Sequence, residues 1–214
     1  MKAETTSASS PRRARARRGE GEKLREQILE AASRLLVEKG DEDAVSIRAV
    51  AEAVGVTPPS IYLHFADKNE LVFAICEKYF DELDRTTTEG ARGSDDLIES
   101  LLRRGRAYIA FGLANPEPYR VIFMRKPTET PLPWQYQKIL SSSAFGHLFE
   151  DVGAAVAAGL LEGDPMLVSI SLWSAVHGIT SLLISKPDFP WPDRDQLVDR
   201  VTRSALFGVV TRDH

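Results

Sequence analysis

Residues 166–184, MLVSISLWSAVHGITSLLI, contain no charged side chain, and this stretch constrains the fold more than any other. Its 19 residues approach the length of a membrane span. Four serines, a threonine and His177 interrupt its hydrophobicity, and the sequence contains no second run of this kind. A helix that is apolar on nearly all sides can instead be buried in a core or an interface. We therefore expect a buried helix over 165–185 and no membrane partner.

The remaining composition fits a soluble, cytoplasmic protein. The chain has 214 residues, of which 43% are hydrophobic and 27% charged. Cys76 is the only cysteine, so an intrachain disulfide is excluded, as suits a reducing cytosol. No apolar run near the N-terminus has the character of a signal peptide.

The basic charge is concentrated in one short segment. In residues 11–18, PRRARARR, five of eight residues are arginine, although the net charge of the whole chain is −4. Residues 1–20 lack apolar periodicity, so we expect a disordered basic arm. Such an arm suits contact with a polyanion, and a solvated tail is the alternative.

Residues 21–67 carry the signals of three helices. Apolar residues recur at helical spacing from Leu24 onward, and Gly40 supplies a stop. Ser46 is placed to cap a second helix, which Gly55 ends. Thr57 is a suitable N-cap for a third helix of about two turns, because proline is favoured in a first turn that lacks N–H partners.

The third helix has an unusual exposed face. At about 100° per residue, Ile61 and Phe65 face inward, whereas Pro59, Ser60 and Leu63 face outward. Asp67 and Glu70 form a pair like a capping box, which predicts a fourth helix. Two short helices joined by a glycine turn, behind a longer first helix, indicate a helix-turn-helix. Its apolar tip suits a DNA major groove.

The segments ILEAASRLLVEKG and SIRAVAEAVGVTPPSIYLHFADKNELVFAI resemble the DNA-binding region of TetR-type (tetracycline-repressor-like) transcriptional regulators. The resemblance implies a DNA contact from Arg48 and phosphate contacts from Tyr62, His64 and Lys68. Pro58 departs from the family pattern, since many members carry a polar residue there. The expected DNA-binding residues are Ser46, Arg48, Thr57, Pro58, Pro59, Ser60, Tyr62, Leu63, His64 and Lys68.

The rest of the chain also has helical patterns, and neither strand patterns nor internal repeats are evident. Helices are predicted over 71–83, 95–114, 117–124, 141–161, 165–185 and 197–210, with a loop at RTTTEGARGS, residues 85–94. The segments NPEPYRVIFM and WSAVHG resemble the regulatory domains of a Trp-x-x-x-His-Gly subgroup of TetR-type proteins. The predicted fold is all-α, with an arm at 1–20, a three-helix DNA-binding domain at 21–67, and an antiparallel helical bundle for ligand binding and dimerisation at 68–214.

Aromatic residues of the second half are candidates for an effector pocket. Bulky apolar side chains with a few polar groups are typical of small-molecule sites. The expected ligand-binding residues are Tyr79, Phe80, Tyr108, Phe111, Tyr119, Phe123, Trp173 and His177. The alternative for each is that it fills a core, and Cys76 is interpreted as a small buried residue.

Nothing in the sequence favours catalysis, a metal or a cofactor. The four histidines are scattered, and neither zinc-ligand spacing nor a phosphate-binding glycine pattern occurs. We expect a homodimeric repressor that binds a palindromic double-stranded operator with half-sites about 34–36 Å apart. A small, largely apolar effector would release it, and the last two helices would form the dimer. The alternatives are a helical enzyme or sensor and an architectural DNA-binding protein without a ligand.

Overall fold

A computed structural model describes residues 20–39, 45–124 and 143–209, and most of these residues are helical. The helices are α1 (Glu20–Lys39), α2 (Ile47–Val54), α3 (Pro58–Ile61), α4 (Lys68–Ala91), α5 (Leu97–Ala114), α6 (Pro116–Tyr119), α7 (Ser143–Ala157), α8 (Pro165–Ser185) and α9 (Arg194–Phe207). A π-helix, Arg120–Met124, follows α6 directly. No strand lies within the described ranges, which agrees with the predicted all-α class. The predicted arm before Glu20 and the stop at Gly40 fall outside them.

Helices α1 to α3 form a small core at the N-terminal end. Ile28 and Leu36 of α1 are buried, as are Val50 of α2 and Ile61 of α3. Phe65 follows α3 and is also fully buried, so the predicted inward pair Ile61 and Phe65 is confirmed. Burial of these side chains against α4 fixes the orientation of the two short helices.

Helix α4 is longer than its sequence pattern predicts. It continues to Ala91, so the predicted loop over 85–94 is wrong for most of its length. The Thr87 hydroxyl donates to the carbonyl of Asp84 at 3.1 Å within the helix. Gly90 faces α5 so closely that an added Cβ would lie 2.6 Å from the Cβ of Ala107. This glycine therefore permits close helix packing and does not mark a loop.

The C-terminal bundle is built around α4, α5 and α8. Helix α8 has the predicted bounds, and the Asp164 carboxylate caps it by accepting from the N–H groups of Met166 and Leu167, both at 3.0 Å. One face of α8 is buried in the bundle, whereas its opposite face is exposed at Leu167, Ile170 and Leu182. The prediction of a buried helix therefore holds for one face. Its length and apolar composition alone would also suit a membrane span, a property that core helices share.

Other helix boundaries also differ from the predicted ones. Helix α7 ends at Ala157, because Gly159 adopts a positive φ of 72° in the turn that follows. Helix α9 starts three residues earlier than predicted, since the Asp193 carboxylate accepts from the N–H of Gln196 at 2.9 Å. Cys76, interpreted from the sequence as a small buried residue, is only partly buried on α4.

Candidate nucleic-acid interface and ligand cavity

The start of α2 presents Arg48 to solvent. The Ser46 hydroxyl accepts from the N–H of Ala49 at 3.2 Å, which is the cap that the sequence predicts. Arg48 lies in this capped first turn and is exposed, whereas Val50 and Ala51 further along α2 are buried. A guanidinium at this position can reach a phosphate or a guanine edge.

The turn between α2 and α3 is fixed by a glycine. Gly55 has φ 77°, and the N–H of Val56 donates to the carbonyl of Ala51 at 2.9 Å. This is a Schellman-type ending, in which the left-handed residue is usually glycine because a Cβ would strain it. The predicted stop at Gly55 is therefore confirmed, and it sets the angle at which α3 leaves α2.

Helix α3 begins at the paired prolines, as the sequence predicts, but it is shorter. Thr57 occupies the N-cap position, yet its hydroxyl contacts the Ser60 hydroxyl at 3.1 Å instead of a backbone N–H. The α-helix ends at Ile61, and residues 62–64 continue as a turn in which the His64 N–H donates to the Ile61 carbonyl at 2.9 Å. The predicted two turns are therefore one helical turn followed by a tight turn.

The outer face of this segment is exposed and mainly apolar. Leu63 is 82% exposed and Tyr62 is 53% exposed, and both rank among the exposed large apolar side chains of the protein. Thr57, Pro58 and Pro59 are exposed beside them. Several apolar side chains exposed next to one another on one short segment favour a partner surface.

The turn that follows α3 lies against α1 at His64 and Phe65. His64 is half-buried near the start of α1, where an added Cβ on Gly21 would lie 3.8 Å from its Cε1. The Arg25 guanidinium lies 4.9 Å from the ring centroid of Phe65. Arg25 is exposed on the same side of α1 and was not among the predicted residues. Its position three residues before the buried Ile28 gave no signal of this contact.

The N-terminus of α4 completes the interface. The Asp67 carboxylate accepts from the Glu70 N–H at 2.9 Å, and the Glu70 carboxylate accepts from the Ala66 N–H at 2.5 Å. The predicted capping pair is thus present. Lys68 lies in the first turn, where its charge and the positive end of the helix dipole both favour a phosphate.

A polar cluster lies in the middle of the C-terminal bundle. The Tyr119 hydroxyl is 2.6 Å from Nδ1 of His177 and 3.1 Å from the Tyr108 hydroxyl. The indole N–H of Trp173 donates to the Tyr108 hydroxyl at 3.2 Å. Burial lowers the pKa of His177 and raises the pKa of both tyrosines, so all three are neutral near pH 7. The cluster cross-links α5, α6 and α8.

An apolar cavity lies beside this cluster. The space among its side chains is about 800 Å³, including its opening to solvent. Its described lining comes from α4, α5, the π-helix, α7, α8 and α9: Phe80, Leu83, Thr87, Leu101, Leu102, Arg104, Gly105, Tyr108, Phe123, Ala144, Phe145, Leu148, Leu172, Trp173, Val176, Thr202, Ala205 and Leu206. A lining of mostly apolar side chains with a few polar groups is typical of sites for small organic molecules.

The cavity brings together only part of the predicted ligand-binding set. Phe80, Tyr108, Phe123 and Trp173 are on its lining. The other four predicted residues lie in the packed core or in the polar cluster: Tyr79, Phe111, Tyr119 and His177. Helical periodicity indicates burial, but it does not separate residues on a cavity wall from residues in a filled core.

Sequence reasoning missed Arg104. This arginine is 7% exposed and lies on the buried face of α5 between Leu101 and Tyr108. A charged residue at a core position of an amphipathic helix is a detectable signal. Its partner, Asp151, is 47 residues away on α7.

No group of three or more histidine, cysteine or acidic side chains in the described part of the chain could hold a metal ion.

These features define a class of protein. A helix-turn-helix with an exposed apolar tip is joined by one continuous helix to a bundle that contains an apolar cavity. This is the architecture of a regulator that binds DNA at one end and a ligand at the other.

Comparison with known families gives the same result. Residues 28–75 match the DNA-binding model described as bacterial regulatory proteins, tetR family, and residues 101–211 match the tetracyclin repressor-like C-terminal domain. The second match alone spans more than half of the chain. The chain belongs to the TetR family of transcriptional regulators, and ligand-responsive DNA binding is typical of that family.

Individual relatives are distant. The HTH-type transcriptional activator FasR of Mycolicibacterium smegmatis is 24% identical over 186 residues, which is 87% of this chain and 79% of FasR. A Rhodococcus sp. RHA1 protein of unknown function superposes with a TM-score of 0.76 at 23% identity, over 88% of this chain and 96% of that protein. The fatty acid degradation regulator FadR of Bacillus halodurans has a TM-score of 0.70 at 19% identity, over 86% and 98% of the two chains.

Proposed function

We propose that this regulator is a homodimer that binds a palindromic operator and is released by a small, largely apolar effector. The observation that carries the DNA part is the exposure of Leu63 and Tyr62 on the third-helix segment, between Arg48 and Lys68. In this arrangement the apolar tip reads base edges and methyl groups, and the flanking basic residues hold phosphates.

Direct hydrogen-bond readout would be sparse, because α3 carries no Asn, Gln or Arg. Pro59 and Leu63 would contact thymine methyl groups, and Arg48 would supply a guanine or phosphate contact. Tyr62, His64 and Lys68 would fix the position of the domain on the backbone. Arginines of the N-terminal arm would extend the contact into the adjacent minor groove.

The cavity beside the polar cluster supports the effector part. Five of its described lining residues carry polar groups and the remainder are apolar, which favours a mainly apolar ligand. Phe80 of α4 is on the lining, and Lys68 of the same helix is at the interface. A ligand that changes the packing at Phe80 would therefore act on the element that carries the DNA-binding domain.

The exposed face of α8 supports the dimer. Leu167, Ile170 and Leu182 are 67%, 42% and 49% exposed along one side of a helix with no charged residue. Phe207 of α9, a helix that packs against α8, is 56% exposed. An apolar surface of this kind on a soluble cytoplasmic protein suits a second copy of the chain, related by a twofold axis.

Binding of the purified protein to its own upstream DNA tests the proposal. Lys68→Ala should weaken binding to every sequence alike and reduce the slope of log K against log salt by about one unit. Lys78→Ala is a matched control, since Lys78 is exposed on the same helix about 15 Å further along. An unchanged slope with Lys68→Ala, or equal loss with Lys78→Ala, would contradict the assigned interface.

The sign of regulation is a separate part of the proposal. We favour repression, in which the free dimer occupies the operator and the effector releases it. FasR is by name an activator, so activation is the second candidate. A reporter fused to the bound promoter distinguishes them, because deleting the regulator raises expression under repression and lowers it under activation.

A further inference from the structure

Arg104 is a buried cation on the cavity lining with one unused donor. Its Nε and Nη2 donate to Oδ2 of Asp151 at 2.9 Å and 2.7 Å. Its Nη1 is buried and has no hydrogen-bond partner among the described residues. A buried donor on a charged group that stays unpaired costs more free energy than a neutral one. Nη1 has almost no accessible surface, so an acceptor from outside the chain would remove that cost once the Arg104 side chain turns toward the cavity.

The other polar groups on the described lining are already engaged. The Trp173 N–H donates to the Tyr108 hydroxyl, which also lies within hydrogen-bond distance of Tyr119 and His177. The Thr87 hydroxyl donates to the Asp84 carbonyl at 3.1 Å. The Thr202 hydroxyl donates to the Val198 carbonyl at 2.9 Å. Among the described lining residues, Arg104 is therefore the one whose side chain still has a hydrogen-bond donor without a partner.

The charge of Arg104 is already matched by Asp151. The two side chains are 8% and 30% exposed and form a close ion pair. A ligand carboxylate on the same guanidinium would place two anions around one cation in an apolar space, at a high desolvation cost. A neutral oxygen acceptor satisfies Nη1 without adding charge.

We propose that the effector is an uncharged, mainly apolar molecule with one oxygen acceptor, such as a ketone, ester or lactone, which accepts a hydrogen bond from Arg104 Nη1. This inference rests on the proposed function, because it assigns the effector to the cavity. It adds the chemical class of that effector and the residue that selects it.

Calorimetric titration of the full-length protein with three eight-carbon probes tests the selectivity. Octan-2-one carries a neutral acceptor, octanoate carries a carboxylate, and 1-octene has no acceptor. Octan-2-one should bind about tenfold more tightly than 1-octene, as expected for a hydrogen bond from a charged donor. Octanoate should bind more weakly than octan-2-one at pH 7.5.

Variants test whether Arg104 is the source of the preference for octan-2-one over 1-octene. The double variant Arg104→Met/Asp151→Leu removes the whole ion pair, so that no buried carboxylate is left unpaired. It should keep its affinity for 1-octene and lose the preference for octan-2-one. Arg103→Met is the matched control, since the Arg103 side chain donates to the Gly90 carbonyl through Nε and does not line the cavity. It should retain the preference.

Circular dichroism and thermal melting establish that each variant is folded. If the double variant does not fold, Arg104→Lys serves instead, because it keeps a cation for Asp151 and lacks the planar second donor. Loss of most of the ketone preference supports the proposal, and an unchanged preference overturns it.

The wild-type titrations also test the role of Arg104 separately from the assignment of the cavity as a ligand site. Tightest binding of octanoate, or equal binding of octan-2-one and 1-octene, overturns the role of Arg104 and leaves the cavity as a ligand site. Failure of all three probes to bind overturns the cavity assignment and this proposal with it. Operator binding is measured independently and is untouched by either result.

Discussion

Leu63 is the residue whose exposure is hardest to explain without DNA. At 82% exposed it lies beyond any packing role, whereas Ile61, two residues earlier, is fully buried. A leucine side chain at the tip of a groove-binding helix contacts the thymine methyl and has no hydrogen bond to offer. Its contribution to specificity should therefore depend on methyl groups.

Replacing thymine by uracil in the operator tests this dependence. We expect affinity to fall about fourfold at each contacted thymine, since burial of one methyl group is worth about 0.8 kcal/mol. In Leu63→Ala the effect should disappear at the position that Leu63 contacts, and uracil outside the half-sites is the control. Unchanged affinity at every position would exclude methyl recognition.

His177 makes stability depend on pH. Burial lowers its pKa in the folded protein, so the unfolded chain binds a proton more readily. Its stabilising contribution is present above the unfolded pKa of about 6.5 and is lost as pH falls through the lower folded value. Urea unfolding of wild type and His177→Gln between pH 8 and 5 should show a smaller loss of stability in the variant. An equal loss of stability with falling pH in the two proteins would show that His177 has the same pKa in the folded and the unfolded chain.

At the scale of elements, capping residues were predictable and packing contacts were not. Ser46, Gly55 and Asp67 act within four residues of their own positions, so their roles can be read from local sequence. Gly90 was interpreted as a loop residue because its reason for being glycine lies on α5, at Ala107. Arg104 was missed for the same reason, since Asp151 comes from a distant helix.

Substitution of helical glycines by alanine tests whether close helix packing requires them. An added Cβ would lie 2.6 Å from Ala107 at Gly90, and 2.4 Å from Thr180 at Gly112. Alanine at either position should therefore destabilise the protein by about 1–3 kcal/mol. At Gly153 on α7 nothing lies within 4 Å, so alanine there should stabilise it by about 0.5–1 kcal/mol. Chemical denaturation measures all three, and similar effects at Gly90 and Gly153 would contradict the packing argument.

At the scale of the whole molecule, the proposed dimer depends on the exposed face of α8, the helix without charged residues. Charge at Leu167 and Leu182 should prevent association, because a buried carboxylate without a partner is costly. Sedimentation of Leu167→Glu/Leu182→Glu should give a monomer with unchanged helix content. Leu63→Glu is the control, since this leucine is even more exposed but lies in the DNA-binding domain. If the double variant still sediments as a dimer, this face of α8 is not the interface.

The length of α4 also determines how far a movement at the cavity displaces the DNA-binding domain. Phe80 on the cavity and Lys68 at the interface are separated along this helix by about 18 Å, at 1.5 Å per residue. Used as a lever of that length, a rotation of about 10° at the cavity end carries the DNA-binding end through about 3 Å. One base pair occupies roughly 3.4 Å along the duplex. A change at Phe80 that turned α4 by this angle would therefore shift the DNA-binding domain of the proposed dimer by nearly one base pair along the operator.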